Sequence, residues 1–173
     1  MNTLWVTSDW HLGHRNILRY RSQFSSIEEH DEFIVQNYLR KVHNRDTVWF
    51  LGDIALSSAG LQKVAALPGY KRLVLGNHDT DRHLSVKDYA PIFTGGIFSL
   101  VRLNTFWLSH APIHPDELRG KRNVHGHTHT RNINDLRYFN VSLENTNYSP
   151  IKLQDIRGVL DGAANTNSVI HQP

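Results

Sequence analysis

Thr47–Asp53 reads TVWFLGD, five apolar or β-prone residues that run directly into a glycine and a carboxylate. The run is too short for a helix and is rich in the branched and aromatic side chains that suit a pleated surface, so it predicts a strand over Thr47–Leu51. The same sentence of sequence occurs on either side of it. Leu4–Thr7 leads into Ser8-Asp9-Trp10-His11, and Arg72–Leu75 leads into Gly76-Asn77-His78-Asp79. Between these runs the period changes. Ser26-Ile27-Glu28-Glu29 has capping-box spacing, and Ile27, Ile34, Tyr38, Leu39 and Val42 follow at helical intervals, which predicts a helix over about 27–43. Ser58 caps a second helix running to Leu67, where Pro68-Gly69 stops it. Strand, helix, strand, helix, strand implies parallel pairing through right-handed crossovers.

The second half is richer in strands. Ile97–Leu103 and Phe106–Ser109 flank Asn104-Thr105 as a tight hairpin ending at His110, and Asn123-Val124-His125 opens into Gly126-His127-Thr128-His129. Tyr138–Ser142 and Ile151–Leu153 are further short strands. The expected fold class is therefore α/β, with two packed mixed β-sheets forming a β-sandwich flanked by helices. It occupies residues 1–160 as one domain, and the small, polar stretch 161–173 is expected to be a mobile tail. Trp5, Trp49 and Trp107 lie on strand candidates and are assigned to the core. His30, His43, His83, His114 and His171 are assigned to the surface.

A chain of 173 residues buries roughly 70% of its unfolded surface, enough for a core without covalent staples. The absence of cysteine excludes a disulfide framework, thiolate ligands and cysteine catalysis. No apolar run approaches the roughly 20 residues that cross a bilayer, and the N-terminus lacks the pattern of a signal peptide. The expectation is a soluble, cytoplasmic protein with no membrane partner. A net charge of +3 with dispersed Lys and Arg attracts phosphate-bearing partners weakly and does not favour nucleic acid.

The unusual feature is where seven oxygen and nitrogen donors fall. Asp9, His11, Asp53, Asn77, His110, His127 and His129 each follow a strand-like run. Strands lying side by side bring their carboxyl ends to one crevice. Two cations about 3.5–4 Å apart need a bridging anion, which a carboxylate supplies with one oxygen to each. Sharing Asp53 makes one set of Asp9, His11, Asp53 and His129, and another of Asp53, Asn77, His110 and His127. Such a pair of ions activates water for in-line attack on phosphorus and neutralises the transition-state charge. His78, next to Asn77, would stand at the open face as general acid, with Asp79 orienting its ring. His14, Arg15 and Asn16, on the loop after the first donors, are candidate substrate contacts. Oxygen and imidazole donors without sulfur suit Mn, Fe, Co, Ni or Zn.

The order Asp9-x-His11, Gly52-Asp53, Gly76-Asn77-His78-Asp79, His110, Gly126-His127-x-His129 resembles the calcineurin-like metallophosphoesterase superfamily from about residue 4 to about 153. The opening Ser-Asp-Trp-His-Leu-Gly-His-Arg-Asn-Ile, Val124-His-Gly-His-Thr-His and Asn140-Val-Ser are similar to a small bacterial and phage branch of it. The resemblance implies a sandwich flanked by helices, two divalent metal ions and hydrolysis of phosphate mono- or diesters. By analogy with bacterial relatives, manganese is the expected active metal. A phosphorylated small molecule or a phosphodiester is the expected substrate. The competing expectations are a nucleic-acid end-processing nuclease, which needs a basic track, and a non-catalytic interaction module, which all seven donors and His78 argue against.

Overall fold

In the computed structural model, residues 2–81 and 84–169 are described, with side chains as far as Asp161. Strands β1 (Leu4–Thr7), β2 (Thr47–Phe50) and β3 (Tyr70–Val74) pair in parallel, as the alternation of strand and helix requires. β4 (Ile97–Phe98) extends this sheet beside β3, and β9 (Ile151–Lys152) closes its other edge antiparallel to β1, giving the order β4-β3-β2-β1-β9. The second sheet runs β5 (Val101–Leu103), β6 (Phe106–Leu108), β7 (Arg122–His125), β8 (Tyr138–Asn140), parallel except for the β5–β6 hairpin. Helices α1 (Ile27–Leu39), α2 (Ser58–Ala65), α3 (Val86–Tyr89) and α4 (Leu153–Val169) complete the α/β fold expected from the sequence.

Both faces of the first sheet are covered, which explains its unbroken apolar runs. Successive side chains alternate between two cores. Trp5, Val48, Phe50 and Leu73 pack with Ile34 and Tyr38 of α1, Leu61 and Val64 of α2 and Tyr89 of α3. Val6, Trp49, Leu51 and Val74 pack against Phe106, Leu108 and Val124 of the second sheet and Leu153, Ile156 and Leu160 of α4. Among the described residues, no helix is long and apolar enough to cross a membrane.

Several expectations are corrected. The single strand over Ile97–Leu103 is two, β4 and β5, because the chain leaves one sheet for the other at Ser99-Leu100. A change of sheet leaves the apolar pattern uninterrupted, so sequence periodicity cannot register it. α1 ends at Leu39, and Val42 is buried beyond it. Ser26 Oγ accepts from the Glu29 amide as predicted, but the Glu29 carboxylate accepts from Ser25 rather than Ser26, one residue further out. The cap of α2 is Ser57, one residue before the one expected. Trp107 is only half-buried, its indole N–H donating to the Leu118 carbonyl. His30 is fully buried between Arg21 and Asp31 instead of lying at the surface. Helix α4 extends to Val169, within the stretch 161–173; residues 170–173, among them His171, and residue His83 lie outside the described residues.

Candidate metal centre

Because β1, β2 and β3 are parallel, the loops carrying Asp9 and His11, Asp53, and Asn77 leave the same edge of the first sheet. β6 and β7 are parallel too, and bring His110 and the pair His127 and His129 to the matching edge of the second. Pairing continues past the strands: the Asp9 amide donates to the Gly52 carbonyl at 3.0 Å, and the His11 amide to the Asp53 carbonyl at 2.9 Å. Hydrogen bonds tie the two edges together. The His127 amide donates to the Asp9 carboxylate, Ser142 Oγ donates to Asp9 Oδ2 at 2.9 Å, and His110 Nδ1–H donates to the Leu51 carbonyl at 2.8 Å.

The loops that carry the donors are bent hard. Asp9, His11, Asp53, His127 and His129 all have positive φ, between 50° and 69°. Each such residue costs of order 1–3 kcal/mol unless its surroundings impose it, and Asp and His tolerate the region better than most. Gly126 permits the close approach. A Cβ there would lie 2.3 Å from Asp9 Oδ2 and 2.0 Å from Ser8 Oγ. Gly126→Ala is therefore expected to push the Asp9 carboxylate out of place and to reduce bound metal per chain, measured by plasma emission spectroscopy, with circular dichroism confirming a folded chain. Full metal content in a folded variant would show that Asp9 needs no such fit.

All seven expected donors are linked by contacts with one another, Asn77 and His127 through His110. The donor atoms of Asp9, His11 and His129 lie within 4.8 Å of one another, as do those of Asp9, Asp53 and His110. Asn77 Oδ1 is 2.9 Å and His127 Nδ1 is 3.1 Å from His110 Nε2. Asp53 Oδ2 sits between the two groups, 3.9 Å from His11 Nε2 and 3.4 Å from His110 Nε2. Asp9 stands in both groups, beside Asp53.

The electrostatics suit a cation. Burial raises the cost of a charge on Asp53, but the hydrogen bond and charge of His110, with His11 and the His78 amide, hold its carboxyl at about 2. Burial opposes the charge on His110 as well, and the Asp53 and Asp9 carboxylates overcome it, lifting the imidazole to about 9. Burial keeps His11 neutral, aided by the charges of Arg21 and His129. Both of its ring nitrogens are buried without a hydrogen-bond partner. A buried, unsatisfied imidazole is costly, and a metal ion beside Asp9 and His129 would satisfy one of these nitrogens. The residues fit a metal of the oxygen- and imidazole-binding kind.

His78 stands at the edge of this cluster, its side chain 42% exposed and its ring centroid 5.9 Å from that of His11. Asp79 does not orient it. Both Asp79 oxygens accept backbone amides, from Asp53, Ile54 and Gly76 at 2.7–3.0 Å, so this fully buried carboxylate braces the Asp53 loop against the Asn77 loop. Burial pushes its pKa up, and those amides oppose the rise. The carboxylate beside the His78 ring is Asp81, with Oδ2 3.5 Å from Nδ1. Of the three candidate substrate contacts, His14 lines a cavity with His11, His78 and His129, whereas Arg15 and Asn16 are exposed and outside its lining.

The sequence reading missed the support behind His129. Its Nδ1–H donates to Glu144 Oε1 at 2.9 Å, and the same oxygen accepts from Arg21 Nε at 2.8 Å. Arg21 is fully buried and donates to the carbonyls of Asp9 at 2.6 Å and Trp10 at 3.2 Å. Burial alone would raise Glu144; His129 and Arg21 bring it down to about 2. A carboxylate on the far nitrogen sets the tautomer that leaves Nε2 for a metal. Asn140 holds the same loop by donating to the His129 carbonyl at 2.7 Å. Arg21 and Glu144 are 123 positions apart and share no local pattern, so no sequence signal joins them.

Donor residues line two separate open cavities. One, of about 390 Å³, is bounded by His11, His78 and His129 and runs out past Ile17 to Tyr20 and Arg131. The other, of about 430 Å³, is bounded by Asn77, His110 and His127 and continues over Leu75, Leu100 and Ile113.

Comparison with known proteins gives a consistent picture. Residues 3–168 match the family described as calcineurin-like phosphoesterase. The Gene 66 protein of Mycobacterium phage L5 is 33% identical, over 75% of this chain and 79% of that protein. An uncharacterized protein of Methanocaldococcus jannaschii is 29% identical over 88% of each. A crystal structure of a protein of unknown function from Aquifex aeolicus superposes with a TM-score of 0.72 at 24% identity, covering 92% of this chain and all of that one. This last likeness is one of fold.

Proposed function

The chain belongs to the calcineurin-like phosphoesterase family, and from that premise we propose that it is a metal-dependent phosphodiesterase using two divalent ions, manganese in its active form. The observation that carries the diester reading is that the donor cluster lines two separate open cavities, His11 and His129 in one and Asn77, His110 and His127 in the other. A phosphodiester has a substituent on each side of phosphorus, and each cavity can take one; a monoester would use only one.

Asp9, His11, Asp53 and His129 would hold one ion, and Asp53, Asn77, His110 and His127 the other, with Asp9 close to both. When bound, the ions supply Lewis acidity toward the phosphate oxygens and activate water for attack. The remaining steps belong to the chain's own side chains. Asp81 Oδ2, 3.5 Å from His78 Nδ1, pairs with the imidazolium form of His78, whose Nε2–H would give its proton to the departing alkoxide and leave the ring neutral. Asp79 and Glu144 act through others, the first by fixing the Asp53 loop and the second by fixing the His129 ring.

The distinguishing experiment compares bis(p-nitrophenyl) phosphate with p-nitrophenyl phosphate in the presence of Mn²⁺. The diester should have the higher kcat/KM. Preference for the monoester would overturn the diester reading, and no turnover of either would overturn the enzyme. His78→Ala should lower kcat by about 10²–10⁴-fold, the usual share of a positioned acid, while metal content stays at the parent level. Loss of metal together with rate would make His78 part of the metal site instead.

A further inference from the structure

The cavity that leaves the donor cluster past His11 ends at an aromatic ring that the fold does not need. Tyr20 is 83% exposed, while Ile17 at the base of the same wall is buried. The backbone that carries this ring is nevertheless held in a definite place. Tyr20 terminates the 3-10 turn Arg15–Arg19, its amide donating to the Ile17 carbonyl at 2.9 Å. Its neighbour Arg21 is fully buried and bonded to the backbone of Asp9 and Trp10 and to Glu144. An aromatic face on backbone anchored beside Arg21, the residue that supports the metal loop, is offered to a flat ligand at the cavity wall.

The rest of the wall selects among flat ligands. Thr128 and Thr130 bring hydroxyls, which suit a ring with polar edges rather than a plain hydrocarbon. Arg131 lines the rim, is exposed, and makes no ion pair among the described residues, so it favours an anionic ligand. A volume of about 390 Å³ falls within the roughly 300–1,000 Å³ of small-molecule sites.

We propose that this cavity is a nucleobase subsite with Tyr20 as its stacking platform, so that the substrates are phosphodiesters bearing a nucleoside. The inference rests on the phosphodiesterase reading above and names the substrate class for that site. Stacking of a base on an aromatic side chain strengthens binding, and with Tyr20 so exposed the expected effect is about tenfold.

The test uses two substrates that differ only in the base, the methyl ester of adenosine 5′-phosphate and the methyl ester of ribose 5-phosphate, both with Mn²⁺. The parent should prefer the adenosine ester about tenfold in kcat/KM, with the difference in KM. Tyr20→Ala should bring the ratio close to one, and Tyr20→Phe should retain it. Equal specificity in the parent, or an unaltered ratio in Tyr20→Ala, overturns the subsite. If the parent cleaves neither ester, the phosphodiesterase reading fails and the subsite is judged by calorimetry on the Mn²⁺-loaded chain. Adenosine monophosphate binding about tenfold more tightly than ribose 5-phosphate, with the difference removed by Tyr20→Ala, then upholds it. Equal binding overturns it.

Discussion

Asp53→Asn is expected to lower phosphoester hydrolysis by about 10³-fold and to reduce bound metal. The oxygen that lies between His11 and His110, 3.9 Å from one and 3.4 Å from the other, belongs to this residue. The substitution keeps the shape and removes the charge. The site would then offer divalent ions a neutral amide in place of this carboxylate, and would support less of the transition-state electrostatics that dominate phosphoryl transfer. The His78 amide, which donates to Asp53 Oδ1 at 2.8 Å, can still donate to an amide oxygen, so the loop keeps its local bond. Rate at saturating Mn²⁺ and metal per chain should therefore fall together in a folded protein. A variant with the parent's rate and metal content would remove Asp53 from the centre.

Glu144→Ala should produce the largest loss of stability. Arg21 has no exposed surface, and Glu144 is the only carboxylate that the structure records against its guanidinium among the described residues. Removing one partner of a buried ion pair costs about 3–5 kcal/mol, because the other charge stays behind unpaired. For a chain of this size that corresponds to a fall in Tm of about 6–20 °C. The same change frees the His129 imidazole to rotate and to choose its tautomer, and loss of such a support usually weakens metal binding about 10–100-fold. Thermal melts followed by circular dichroism, with Mn²⁺ titrated by calorimetry, measure the two effects separately. A Tm within about 2 °C of the parent would mean that Arg21 is compensated in some other way. Intact Mn²⁺ affinity would mean that His129 needs no partner.

Sequence patterns reach some of this and not the rest. Strands β1, β2 and β3 and helices α1 and α2 are legible because burial on one or both faces imposes a period, and the capping serines mark where it starts. The split of Ile97–Leu103 is not legible, because both halves are equally buried in kind and only their partners differ. His30 looks like a surface residue by type and proves to be a buried link between Arg21 and Asp31. Asp79 lies next to His78 in the chain, yet its carboxylate serves the backbone of Asp53, Ile54 and Gly76, since adjacent side chains in a tight turn leave in different directions.

The chemistry of the donors was settled at the level of the chain. Asp, Asn and His after each short apolar run, with no cysteine anywhere, define an oxygen- and imidazole-rich centre at the ends of parallel strands, whatever the loops do. How those donors face one another was settled only on folding. It took five left-handed backbone positions, a glycine that lets two loops nearly touch, and a buried Arg21–Glu144 pair drawn from opposite ends of the chain. Local spacing records periodic burial, whereas orientation, tautomer and charge compensation depend on contacts between segments more than a hundred residues apart.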